Sequence, residues 1–151
     1  RFENMIKRFV SEVSTVENYF SSIESQSLTI NQAEISYINH IQFEDESDSA
    51  QNWLRFINFE AQNPEDFSCA FRRIIRSEDN KPQGRLICEA RSAVGPGEQS
   101  IIILTLSARG APLGTDLNAA KEFLKLGREM IVRLFADITT SSAHQKWERV
   151  Q

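Results

Sequence analysis

The 151-residue sequence predicts an α+β fold of two layers, an antiparallel sheet of about five strands packed against an N-terminal helix and a long C-terminal helix. Three observations predict it. At both ends of the chain apolar residues recur every three or four positions, the period of one helix face. Between them the pattern changes to alternation, the period of a strand with one buried side. No helical segment separates the strands, so the crossovers a parallel sheet requires are missing.

The first helix is read from Phe2, Met5, Ile6, Phe9, Val10, Val13, Val16, Tyr19, Phe20 and Ile23, which form one stripe, and "SSIESQS" ends it. From Leu28 to Phe43 the chain reads as one long strand, or two in line, with Ala33, Ile35, Tyr37, Asn39, Ile41 and Phe43 on one side and a bulge expected near Asn31–Gln32. "EDESDSAQN" is a loop, and the aromatic and branched residues of Trp53–Phe59 suggest a short second strand. Past Pro64, Phe67–Arg76 and Arg85–Ala93 alternate around a hairpin loop, "VGPGEQ" turns the chain, and Ser100–Ala108 is apolar on both sides, as a central strand would be. Thr115 or Asp116 then caps a six-turn helix whose stripe runs from Leu117 through Phe123, Gly127 and Ile131 to Ile138. A mid-helix glycine costs about 1 kcal/mol relative to alanine, so Gly127 implies a close approach to the sheet. A capped turn is expected around Trp147.

Composition bounds the function classes. The chain has no apolar run near the roughly 20 residues that cross a bilayer and no cationic-then-apolar leader. No membrane partner is expected, and the default location is cytoplasmic. A net charge of −4 argues against nucleic acid as a partner. The charge is uneven: residues 44–66 carry seven acids against Arg55, whereas residues 71–91 carry six bases against three acids. Cys69 and Cys88, 19 residues apart, cannot make a four-ligand zinc site and read as small buried thiols. Residues 1–151 read as a single domain. Beginning at Arg1 directly in an amphipathic pattern, it reads as the C-terminal domain of a longer protein.

Three stretches carry a resemblance. "AEISYINHI", the tryptophan segment "NWLRF" behind an acidic loop, and "FLKLGREMIVRLFADITTSSAHQKW" together resemble the C-terminal half of a sporadically distributed family of longer bacterial proteins with no assigned function. Its short motifs, Y-x-N in a strand and F…IT…W at the final helix, fall here on Tyr37, Asn39, Phe135, Ile138, Thr139 and Trp147. The resemblance implies a companion N-terminal domain and carries no activity with it.

Candidate chemistry is sparse. Tyr37 and Asn39 share one side of their strand and His40 takes the other, so the three do not converge. Glu34 and His40 share a side but stand about 20 Å apart, too far for acid–base cooperation. His144 has no partner at metal-ligand spacing, "GPG" is a turn, and no phosphate-cradling or nucleophile motif is present, so no catalytic residue, metal or cofactor is expected. Two surfaces remain. Tyr37, Asn39, Phe71 and Phe123 would line a cavity between sheet and C-terminal helix, and Arg72, Arg76, Arg85 and Arg91 would form a basic patch for an acidic partner or, by the plainer reading, pair with Glu89. Three functions follow: an interaction or assembly module that pairs with a companion domain or a second copy, a small-ligand binding domain, or part of an enzyme completed by an N-terminal domain.

Overall fold

The computed structural model describes residues 1–23, 28–44, 48–59 and 64–147. Four strands form one antiparallel sheet: β1 (Ala33–Gln42), β2 (Ser68–Arg76), β3 (Pro82–Val94) and β4 (Ser100–Gly110), in the spatial order β1-β4-β3-β2. Four helices complete the order: α1 (Phe2–Ile23), α2 (Ala50–Trp53), α3 (Leu117–Ile138) and α4 (Ser141–Lys146). Strands β2, β3 and β4 are consecutive hairpins. Asn80 turns the first through a left-handed conformation (φ 60°), and Gly97 (φ 91°) and Glu98 (φ 64°) turn the second. The α+β class and antiparallel sheet match the expectation from sequence. No described helix is long and apolar enough to cross a membrane.

One side of the sheet holds the core. Ile35, Ile41, Leu86, Cys88, Ala90, Ile102, Leu104, Leu106 and Ala108 point inward under α3, which contributes Phe123, Leu124, Ile131 and Leu134. Asp116 caps α3 by accepting from the Ala119 N–H at 2.7 Å. Gly127 lets the helix close on the sheet: a Cβ there would lie 2.8 Å from the Ala108 Cβ and 2.9 Å from Ile35 Cγ2.

Three expectations need correction. The Trp53–Phe59 segment is not a strand, which is why the sheet has four strands and not five. Its buried residues, Trp53, Leu54 and Ile57, do not alternate. Instead α2 ends at Trp53, Leu54 makes a single bridge to Thr139, and the Arg55 N–H donates to the Ile138 carbonyl at 2.8 Å. The first strand likewise begins at Ala33 and not Leu28. The third concerns α1, which packs chiefly against α3 rather than directly over the sheet. A four-strand sheet is only about 14 Å between its outer strands, room for two helices about 9 Å apart. Here α3 takes one place over β1 and β4. The aromatic segment after α2 takes the other over β2 and the residue before it, with Phe56 on Phe71 (ring centroids 5.5 Å) and Phe59 on Phe67 (5.8 Å).

Candidate functional site

Because the described cover lies on one side, the outward residues of four rows across the sheet remain at least partly accessible, except Ser107, which is 7% exposed. In adjacent rows across β1, β4, β3 and β2 these are Glu34–Arg109–Arg85–Ile74, Ser36–Ser107–Ile87–Arg72, Ile38–Thr105–Glu89–Ala70 and His40–Ile103–Arg91–Ser68. The face mixes isoleucines with arginines. Ile38 is 65% exposed, and Arg72, Arg85, Arg91 and Arg109 outnumber Glu34 and Glu89.

The arginines gather at one corner. Arg72, Arg85 and Arg109 line a depression of about 490 Å³ together with Asn31, Gln32 and Ile87. Arg85 stands directly opposite Arg109, and Arg72 opposite Ile87, which places it on the diagonal from Arg85. Arg109 is held by the Glu34 carboxylate at 3.6 Å. With its amide oxygen turned inward, Gln32 also accepts from Arg109 Nη2 at 2.8 Å. Arg85 Nη1 donates to the Gly84 carbonyl at 3.1 Å.

The expected basic patch is therefore divided. Arg72 and Arg85 come together, Arg91 lies at the far end of β3, and Arg76 sits at the hairpin, donating to the Asn80 carbonyl at 2.9 Å. Arg109 was missed because β4 reads as apolar on both sides. Its outward series Ile101, Ile103, Thr105, Ser107, Arg109 grades from apolar to charged and carries the signal.

The expected cavity residues do not converge. Tyr37 on β1 and Phe71 on β2 occupy opposite edges of one row, with Leu106 and Cys88 between them. Asn39 Nδ2 donates to the carbonyl of its cross-strand partner Leu104 at 3.3 Å. Phe123 is buried over Gly110. Between sheet and α3 the space is filled by Leu106, Phe123, Leu124 and Ile131, each at most 5% exposed.

A second surface is on α1. Its stripe positions Phe2, Ile6, Phe9, Val13, Val16, Phe20 and Ile23 alternate spacings of four and three, a seam of the coiled-coil kind. The first part is anchored: Ile6 is buried, and the Arg128 guanidinium lies 4.9 Å over the Phe2 ring. Beyond Val13 the seam faces solvent, with Val16 43%, Phe20 44% and Ile23 60% exposed and Tyr19 beside it 64% exposed. The charges beside this half are Glu12 and Glu17.

The residues that carry the resemblance build a knot. Trp147 stacks on Phe135 and lies 5.5 Å from Trp53, and Thr140, which caps α4, accepts from the Ala143 N–H and bonds the Asn52 carbonyl. Asp48, its side chain 4% exposed, accepts from Trp53 Nε1 at 2.9 Å, Asn52 Nδ2 at 3.0 Å and the Glu44 N–H at 3.2 Å, with Lys146 at 3.8 Å. Burial pushes the Asp48 carboxyl up, but these hydrogen bonds and the Lys146 charge outweigh it and hold the group below its ordinary value. These contacts join the β1–α2 connection to the C-terminal end of α3. No group of three potential metal ligands occurs among the described residues.

Comparison with protein-family models, curated proteins and solved structures returned no match.

Proposed function

We propose that the protein is a non-enzymatic assembly module, and that the exposed half of α1 docks on the uncovered sheet face of a second copy. The observation that carries this reading is the run Val16, Tyr19, Phe20 and Ile23, four large apolar residues exposed on one ridge of an otherwise anchored helix. Fit and charge support the occupant. From Val13 to Ile23 the ridge is about 15 Å long at 1.5 Å per residue, the span of a four-strand sheet between its outer strands. Glu12 and Glu17 flank the ridge, and on the sheet face Arg72, Arg85 and Arg91 stand beside Ile74, Ile87 and Ile103. A reciprocal pair would bury both surfaces twice under one two-fold axis, the commonest arrangement of soluble oligomers.

Phe20→Glu tests the reading. Placing a charge on the ridge, with Phe20 already 44% exposed, should keep a cooperative melt, remove the concentration dependence of the melting temperature, and abolish self-association in sedimentation velocity. Unchanged association in that variant would refute the docking.

A further inference from the structure

The Arg72–Arg85–Arg109 corner has a chemistry of its own, and we propose that it is a binding site for a phosphate-type oxyanion carried by a small molecule. Like charges directly opposite in an antiparallel pair destabilise it, yet Arg85 and Arg109 occupy such positions on β3 and β4. Arg72 adds a third guanidinium to the same depression. A bound anion removes the repulsion.

Charge selects the class of anion. Three arginines against Glu34, the acid paired with Arg109, leave the corner at +2. A phosphate monoester carries about −1.5 to −2 near neutral pH, and its oxygens suit the two-pronged geometry of guanidinium groups. The site is also partly ordered in advance. Glu34 and Gln32 hold Arg109, and the Gly84 carbonyl holds Arg85, each through part of a guanidinium that has five N–H donors. Below them, β3 and β4 pair Gly84 with Gly110 so closely that a Cβ on Gly84 would lie 2.9 Å from the Gly110 Cα. The depression, about 490 Å³, falls within the roughly 300–1,000 Å³ usual for small-molecule sites. Ile87 and the Asn31 amide offer apolar and polar contacts for the remainder of the molecule. A nucleic-acid strand is disfavoured by the net charge of −4 and by Glu89 in the middle of the face.

The site shares the sheet face on which α1 of a second copy is proposed to dock, but it stands whether or not that docking occurs, so the test is run on the unaltered protein and on the monomer-directed Phe20→Glu variant. Inorganic phosphate and pyrophosphate are titrated calorimetrically at matched ionic strength, with thermal melts confirming that each variant folds. Saturable pyrophosphate binding is expected in the Phe20→Glu background, and in the unaltered protein at equal or lower affinity because a docked α1 competes for the same face. Arg85→Gln and Arg109→Gln should each weaken it by about tenfold, the loss of one charge-assisted hydrogen bond, while Arg91→Gln at the far end should not. No saturable heat, or an equal loss with Arg91→Gln, would overturn the site. Tighter binding of a single-stranded oligonucleotide than of pyrophosphate, weakened by Arg91→Gln, would overturn the small-molecule source.

Discussion

Trp147 stacks on Phe135 with ring centroids 5.4 Å apart and planes inclined by 25°. One residue is at the end of α4 and the other on the last turns of α3, so the stack fixes the chain reversal between two helices. Thr139, fully buried at that reversal, donates its hydroxyl proton to the Phe135 carbonyl at 2.6 Å. Its oxygen lies 2.6 Å from His144 Nε2, which must therefore donate, so Nε2 carries the hydrogen. Thr139→Val keeps the shape and deletes both bonds. It should cost about 1–3 kcal/mol in urea unfolding, because the half-buried His144 imidazole loses the hydroxyl it donates to and the Phe135 carbonyl keeps the Thr139 N–H but loses the hydroxyl donor.

Gly127→Ala should destabilise the fold although alanine is the better helix former by about 1 kcal/mol. Its methyl would sit 2.8 Å from the Ala108 Cβ and 2.9 Å from Ile35 Cγ2, between a helix and a strand that must separate to admit it. Overpacking of that kind costs about 1–3 kcal/mol, so a lower urea midpoint is expected, and a higher one would mean the helix shifts freely.

Asp48 makes stability depend on acid. Its folded-state pKa lies below the ordinary 3.8, so its contribution is present above that value and is lost as the pH falls through the folded-state pKa. In Asp48→Asn the low-pH side of the stability profile should flatten, with loss of about 1–3 kcal/mol near neutral pH from the Trp53, Asn52 and Lys146 partners. A profile identical to that of the unaltered protein would show that the carboxylate contributes nothing.

Cys88 gives the opposite sign. Burial, with smaller contributions from Cys69 and Glu89, pushes its thiol from 9.0 up to about 12 against the pull of Arg73. The unfolded chain therefore ionises first, and stability should decline as the pH rises from about 9 toward 12. At pH 8 a thiol reagent should modify Cys88 only as fast as the protein unfolds, since the thiolate is the nucleophile and the residue is wholly buried.

Legibility followed period. Helices α1 and α3 and the β2–β3 hairpin were readable because stripe and alternation are properties of sequence. The helix cap at Asp116 and the close approach at Gly127 followed from single-residue chemistry. Trp53–Phe59 misled because its strand-favouring residues pack in an irregular segment, where Phe56 meets Phe71 of β2, Phe59 meets Phe67 just before it, and Leu54 bridges to Thr139. The site was half legible. Arg72 and Arg85 stand on one hairpin, but Arg109 reaches them only through the β3–β4 register, a pairing that composition does not encode.

The most direct measurement for the proposed assembly is light scattering coupled to gel filtration, across protein concentration and at two salt levels. A dimer at low salt that weakens at high salt, as ion pairs between Glu12 or Glu17 and the sheet arginines are screened, is the expected result. A clean monomer at high concentration and low salt would contradict it.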